Sequence, residues 1–321
     1  MYCFPQVRYD KTVAATILSI FAPAKINLHL AVKERRPDGF HNLESVFLAL
    51  DWGDNLLFER KDSGIKGDEL IIIRGNARAE QKKEILNIPD NIILRALALF
   101  REKTGFSEML KITVEKHIPL GGGLGGGSSD AAAALLALNK IAGSPLSKDA
   151  LLETGAALGS DVPFFLHETQ AAWVTGRGEN IEPLKMPEIS LVLVNPGFSS
   201  DTAEAYRLLD EYRVSEESYA EVRRHREEFK ILLPLRLYVS ARDSSPISSF
   251  YNDFLPVFGE RERTIYNKIC CNLREFGAQF AGLSGAGSTC FGVFEEMEQA
   301  QKAAETLRGE WNFVHCCNSL I

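Results

Sequence analysis

The sequence predicts an α+β protein, and three observations carry that prediction. A period-two strand pattern stands near the N-terminus, three segments read as helices, and strands and helices follow one another without a strict βαβ rhythm. The strand pattern runs through Ile26, Leu28, Leu30 and Val32, with Lys25, Asn27 and His29 on the opposite face. This marks a half-buried strand. Further strands are expected at Leu70 to Arg74, Lys111 to Glu115, Ala171 to Thr175 and Leu191 to Val194, where β-formers run up to turn residues. Helices are expected at Ile92 to Lys103, Ser129 to Lys140 and Ser147 to Leu158. Pro89-Asp90-Asn91 introduces the first and Gly159 follows the last. The C-terminal part reads helix, strand, Gly-rich turn, strand, helix, strand through Ile265 to Phe276, Gln279 to Leu283, Cys290 to Glu295, Met297 to Leu307 and Trp311 to Cys316. That order suits a small split βαβ sandwich.

A chain of 321 residues, 45% hydrophobic and 25% charged, is long enough for two domains with substantial cores. Beyond about Asn195 its character changes, with a charged stretch from Leu208 to Lys230 and a Ser-rich stretch from Ser240 to Ser249. The boundary is therefore expected near residue 180, dividing the chain into 1–180 and 181–321. A formal net charge of −7 argues against a nucleic-acid partner, because phosphate-backbone binding needs a basic surface. Cys3, Cys270, Cys271, Cys290, Cys316 and Cys317 show no CxxC spacing, so neither zinc nor a redox motif is indicated.

At the N-terminus, Arg8 and Lys11 precede an apolar run ending in Ala22-Pro23-Ala24, the outline of a signal peptide and its cleavage site. Asp10, Thr12, Thr16 and Ser19 interrupt that outline. The run also falls short of the roughly 18 to 20 apolar residues that a membrane helix needs. The expectation is a cytoplasmic protein with no membrane partner.

The strongest chemical signal is Pro119-Leu120-Gly121-Gly122-Gly123-Leu124-Gly125-Gly126-Gly127-Ser128-Ser129, which follows a strand pattern and opens an alanine-rich helix. Without a Cβ, glycine lets backbone N–H groups approach an anion closely. The helix N-terminus adds orphan donors and the positive end of a dipole, so phosphate is the natural guest. Ser128 and Ser129 are placed either to cap the helix or to offer hydroxyls to a phosphate or a metal ion. A flexible linker would not carry Leu124 at its middle and run straight into a strong helix former. Gly121, Gly123 and Gly126 satisfy GxGxxG, but Pro119 separates strand from glycines and no acidic strand end follows at the dinucleotide spacing. A Walker A loop is excluded, since no Lys follows Gly127.

Phosphoryl transfer also needs a base for the acceptor hydroxyl and a cation for the developing charge. Gly159-Ser160-Asp161-Val162-Pro163 puts a carboxylate on a turn between a helix end and an apolar run. Lys25 follows Pro23-Ala24 on the face it shares with Asn27. Taken singly, Asp161 also fits a surface turn and Lys25 a solvated strand face.

Taken together, Pro23-Ala24-Lys25-Ile26-Asn27-Leu28, Pro119 through Ser129, Gly159-Ser160-Asp161-Val162-Pro163 and Leu283-Ser284-Gly285-Ala286-Gly287-Ser288 resemble the ordered motifs of the GHMP kinase superfamily. They span nearly the whole chain. Asp38-Gly39-Phe40-His41 and Asp90-Asn91-Ile92-Ile93 narrow the resemblance to members acting in the non-mevalonate isoprenoid pathway. The resemblance implies a two-domain fold, an N-terminal ATP-binding α+β domain and a C-terminal ferredoxin-like sandwich, with the site in the cleft between them. It implies that ATP, with Mg2+, phosphorylates the 2-hydroxyl of 4-diphosphocytidyl-2-C-methyl-D-erythritol, a small-molecule cytidine diphosphate substrate.

By the same resemblance, Asp161 takes the hydroxyl proton and Lys25 holds that carboxylate ionised. Pro119 to Ser129 hold the ATP phosphates, Asn91 and Lys116 lie around the adenine, and Ser129 is a candidate metal ligand. Asn27 lies beside the reacting groups, and Phe40, His41 and Tyr206 form the cytidine site. Phe40 stands where the family often has Tyr, and Tyr206 where it often has Phe; either ring still offers a π face. Residues Met1 to Ala15 and Leu208 to Lys230 look like additions, fitting a disordered arm and a solvated helix face. A monomer or homodimer is expected. Two other readings remain open, a GHMP kinase for mevalonate, homoserine or a sugar, and an inactive nucleotide-binding module.

Overall fold

The computed structural model describes residues 8–10, 17–61, 67–74, 83–85, 91–214 and 250–320. They fall into two compact units, one drawn from 1–24, 52–118 and 125–169, the other from 25–51, 119–124 and 170–321. The units interleave along the chain, so neither is a single stretch of sequence. The Ser-rich stretch 240–249 and the charged residues 215–230 lie outside the described residues.

In the first unit, β1 (Arg8–Asp10), β2 (Ile17–Arg35), β3 (His41–Arg60), β6 (Leu110–Lys116), β4 (Glu69–Arg74) and β5 (Lys83–Ile85) lie side by side in that order; β2 and β3 also run on into the second unit. The β4–β6 pair is parallel, whereas β3 meets β6 antiparallel, Asn55 opposite Glu115. Four helices complete this unit: α1 (Ile92–Thr104), α2 (Gly126–Ile141), α3 (Lys148–Leu158) and α4 (Val162–Leu166). The side chain of Asn91 caps α1, accepting from Ile93 N at 2.9 Å, and Gly105 ends it in the left-handed region. Ser147 caps α3 in the same way. Helix α2 is buried on nearly every side, which its run Ala131 to Ala134 permits because small side chains let neighbouring helices approach closely. It packs on α1, α3 and α4.

In the second unit the first half of β3 pairs antiparallel with β7 (Ala171–Gly176), which pairs with β8 (Asn180–Pro183). The rest is a separate four-stranded antiparallel sheet in the order β10 (Phe280–Leu283), β11 (Cys290–Phe294), β9 (Ser190–Asn195), β12 (Phe313–Asn318). Helices α5 (Thr202–Val214), α6 (Glu260–Glu275) and α7 (Met297–Leu307) complete it. This is the expected split βαβ sandwich. Strand β9 is buried at all six positions because it lies between β11 and β12. Helix α7 buries Ala300, Ala303, Ala304 and Leu307, the i, i+3, i+4, i+7 stripe of an amphipathic helix.

Four expectations change. From Ile17 the apolar run that imitates a signal peptide forms the first part of β2, and Arg8 to Asp10, expected in a disordered arm, pair with its Ile17 to Ser19. The half-buried strand is buried on both faces: Lys25, Asn27 and His29 are as enclosed as Ile26 and Leu28. Leu208 to Val214, read with the added charged stretch, form the end of α5, with Leu209 buried. Strand β3 escaped notice because Asp51-Trp52-Gly53-Asp54 reads as a turn. The strand runs through it because Gly53 lies flat against the chain at Ala22; a Cβ there would stand 2.1 Å from the Ala22 carbonyl oxygen. Among the described residues no helix is long and apolar enough to cross a membrane.

Because backbone cannot yield as a flexible side chain does, Gly53→Ala is expected to destabilise the fold by roughly 1–3 kcal/mol. A urea unfolding curve checks this, with the midpoint expected to fall at unchanged slope.

Candidate active site

The glycine loop is built by turning its carbonyl groups inward. Gly121, Gly123 and Gly125 take φ of +63°, +75° and +69°, values open to glycine without cost. The carbonyls of Gly121 and Gly122 accept from Ser200 N at 3.0 Å and Thr289 N at 3.1 Å. That of Gly123 accepts from the Ser284 hydroxyl at 2.8 Å, and that of Leu124 from Lys25 N at 2.9 Å. In a trans peptide the N–H points opposite to the preceding C=O. Four anchored carbonyls therefore turn the N–H groups that follow them away from those anchors, and those of Gly122, Gly123 and Leu124 meet no protein acceptor among the described residues. Gly125 then serves as N-cap of α2 with no side-chain cap bond. The expectation that Ser128 or Ser129 caps the helix is thus corrected: both lie inside it. The Ser129 hydroxyl is buried with no hydrogen-bond partner among the described residues.

The carbonyl anchors lead to the next group of expected residues. Lys25, whose N–H holds Leu124, is 3% exposed, and its Nζ donates to Asn27 Oδ1 at 2.7 Å while standing 4.4 Å above the Phe47 ring. Asn27 in turn donates from its backbone N to Ser284 Oγ at 3.2 Å and from Nδ2 to Ser45 Oγ at 2.9 Å. Ser284 is therefore shared, receiving from Asn27 and donating to the loop at Gly123. The turn Ser284 to Ser288 is a β10–β11 connection, held by Asn252 Nδ2 on the Leu283 and Gly285 carbonyls at 2.8 Å each. Asn195 Nδ2 secures its far end through Ser288 and Thr289, at 3.1 and 3.0 Å.

Asp161 belongs to the first unit. It precedes α4, whose five residues are all buried, and Gly159 and Ser160 bring the chain to it from α3. Helices α3 and α4 approach so closely that a Cβ at Gly155 would meet Leu166 Cδ1 at 2.4 Å. Asp161 itself is partly exposed, and the enclosed helix that follows gives its backbone a rigid support. Lys116 also lies in this unit, but its ammonium group is committed to the Asp54 and Asp130 carboxylates. Burial alone would lower its pKa; the two carboxylates outweigh burial and hold it above the ordinary lysine value. Burial pushes the Asp130 carboxyl upward, Asp54 adds to the rise and Lys116 opposes it. The side-chain oxygen of Asn91 is likewise occupied, by its cap bond to α1.

Phe40, His41 and Tyr206 are divided. Gly39, at φ +87°, turns the β2–β3 connection and leaves Phe40 half exposed, with the Arg177 guanidinium 4.8 Å over its ring. His41 is buried and stacks on Tyr206, ring centroids 5.1 Å apart and planes within 17°. Its Nε2 lies 2.7 Å from Asp210 Oδ1, one turn beyond Tyr206 on α5. Sequence reading missed Ser45, Asp54, Asp130, Arg177 and Asp210. The spacing Tyr206 to Asp210 is the one signal that was visible, since i and i+4 share a helix face.

Residues 91–169 match the family described as GHMP kinases N terminal domain, and residues 262–312 that described as GHMP kinases C terminal. The 4-diphosphocytidyl-2-C-methyl-D-erythritol kinase of Ralstonia pickettii (strain 12J) is 34% identical over 292 residues, covering 90% of each chain. That of Prosthecochloris aestuarii (strain DSM 271 / SK 413) is 36% identical, over 90% of this chain and 93% of its own. A crystal structure of 4-(cytidine 5'-diphospho)-2C-methyl-D-erythritol kinase, 30% identical, covers 94% of this chain and 98% of its own at a TM-score of 0.70. Homoserine kinase from Cytophaga hutchinsonii ATCC 33406 shares the fold, at a TM-score of 0.66 and 18% identity over 98% of both chains. Fold, loop and relatives define an ATP-dependent kinase of small molecules. The chain belongs to the GHMP kinase family.

A Cβ at Gly123 would stand 2.1 Å from the Ser284 carbonyl oxygen, on a backbone that disfavours L side chains. Gly123→Ala is expected to weaken binding of a non-hydrolysable ATP analogue about tenfold or more, measured by calorimetry, from the strain of roughly 1–2 kcal/mol and the broken Ser284 anchor.

Proposed function

We propose that this kinase transfers the γ-phosphate of ATP to the 2-hydroxyl of 4-diphosphocytidyl-2-C-methyl-D-erythritol, a step of isoprenoid precursor biosynthesis, in the cytoplasm. The observation that carries the reading is the chain of bonds from Lys25 and Asn27 through Ser284 to the glycine loop. It ties a buried ammonium group to the backbone that would hold the phosphates. The relatives' names supply the acceptor. The division into 1–180, carrying the ATP-binding motifs, and 181–321 belongs to this reading, as do a monomer or homodimer and the absence of a nucleic-acid partner.

In the proposed reaction the substrate oxygen attacks the γ-phosphorus, the new O–P bond forms as the bond to the β-phosphate oxygen breaks, and ADP leaves. Asp161 takes the hydroxyl proton. Lys25, oriented by Asn27, stabilises charge on the attacking oxygen and on Asp161. The N–H groups of Gly122, Gly123 and Leu124 and the first turn of α2 receive phosphate oxygens, since phosphoryl transfer rests on positioning and charge stabilisation. Asn91 and Lys116 line the adenine; with its ammonium group engaged, Lys116 would contribute backbone and stem. Mg2+ would neutralise the nucleotide's phosphates when bound, and the Ser129 hydroxyl, without a hydrogen-bond partner among the described residues, fits such a ligand. Phe40, His41 and Tyr206 read the cytidine, with Asp210 Oδ1 on Nε2 fixing the orientation of the His41 ring.

ADP release is to be measured with the cytidylyl substrate, mevalonate, homoserine and galactose. Turnover is expected with the first alone, and turnover of only another acceptor would replace the assignment. Asp161→Asn is expected to lower kcat by about 10² to 10⁴. If Lys25 and Asp161 serve one proton transfer, Lys25→Met added to Asp161→Asn costs far less than the product of the single effects. Tyr206→Ala is expected to raise the KM of the cytidylyl substrate about tenfold, while the KM of ATP changes less than twofold.

A further inference from the structure

Two buried carboxylates and a largely enclosed lysine stand at the base of the glycine loop. Lys116 is the last residue of β6 and Asp130 lies in the second turn of α2; its Oδ2 receives Lys116 Nζ at 2.7 Å across a separation of fourteen residues. All six loop glycines fall between them. The same ammonium group donates to Asp54 on β3. The other oxygen of Asp54 accepts the N–H groups of His117 at 2.6 Å and Ile118 at 2.9 Å, the two residues leading into the loop. Asp54 is fully enclosed and Asp130 is 4% exposed.

Such a group could merely fill the core, but its arrangement speaks otherwise. A buried ion pair is weak support for stability, since apolar side chains of similar volume often serve the fold as well. What apolar contacts cannot supply is a directed bond from one stem of a loop to the other. A run of six glycines has the largest backbone freedom to lose, and joining its ends removes part of that freedom beforehand. Lys116 keeps a donor toward Asp130 whichever protonation state that carboxyl adopts.

We propose that Asp130, Lys116 and Asp54 form a stem clamp, a set of positioning residues that holds the glycine loop ready for ATP. The proposal rests on the reading of Pro119 to Ser129 as the ATP phosphate loop. Its effect is on the ordering that binding would otherwise require, so it belongs to ATP affinity rather than to the chemical step.

Amide hydrogen exchange of residues 119–129 and steady-state kinetics test it on wild type, Asp130→Ala and Asp130→Asn. Without nucleotide, Asp130→Ala is expected to speed exchange in 119–129 about tenfold or more, with α3 exchanging as before. Its KM for ATP is expected to rise by about tenfold or more, a larger factor than the KM of the acceptor alcohol. Asp130→Asn, which keeps the volume and one acceptor, is expected to fall between the two. If the Ala variant does not fold, the Asn variant decides. The clamp is overturned if folded Asp130→Asn matches wild type in both loop exchange and ATP KM, or if exchange rises uniformly across the first unit. ATP slowing exchange of 119–129 in wild type supports the loop assignment by itself; if ATP leaves those amides unaffected, that assignment falls and the clamp with it.

Discussion

Everything at this site depends on where four carbonyl groups point. An oligoglycine segment has no side chains to hold it, and its N–H groups serve an anion only if the opposing carbonyl groups are satisfied elsewhere. Ser200, the β10–β11 turn through Ser284 and Thr289, and Lys25 meet that requirement from three separate parts of the chain. Three of these residues are bonded by, or stand in turns bonded by, Asn side chains: Lys25 by Asn27 on β2, Thr289 by Asn195 ending β9, and the β10–β11 turn at Ser284 by Asn252. An amide side chain can bond on two sides at once, which suits it to joining a turn to a loop.

The same economy explains the polar interior of β2. A lysine and an asparagine at 3% exposure would be costly alone, because a buried polar group without a partner loses roughly 1–3 kcal/mol and a buried charge more. Here Asn27 meets Lys25 with its oxygen, Ser45 with its nitrogen and Ser284 with its backbone. Aromatic packing adds to it, through Phe47 beneath the ammonium group. The cytidine-side residues follow a similar rule: His41 is buried, yet one helix, α5, presents both the ring it stacks on and the carboxylate that meets its Nε2.

Much of this was legible in one dimension. The glycine run, a strand through Ile26 to Val32, the helix start at Asn91 and the order of elements along the C-terminal part follow from local chemistry and stand where they were expected, although that strand is buried on both faces. Strand β3 was not legible, because its Trp52-Gly53-Asp54 segment has turn composition and is strand only by virtue of the Ala22 backbone beside it. Nor could a lysine at the end of β6 announce that its ammonium group would be enclosed by two carboxylates, at sequence separations of 62 and 14 residues.

By itself, then, the sequence determined the kinds of group available: a phosphate-binding backbone, a lysine and an asparagine on one strand face, a carboxylate on a turn, aromatic rings and a histidine. Those depend on residue type and short spacing, which the chain carries without folding. The tertiary structure decided which of them are occupied. The Lys116 ammonium group is spent on an ion pair and the Asn91 side-chain oxygen on a helix cap, Tyr206 is covered on one face by His41, and the loop carbonyls are fixed by residues distant in sequence. The reason is physical: burial obliges every polar group to find a partner, and only the fold determines which partner is within reach.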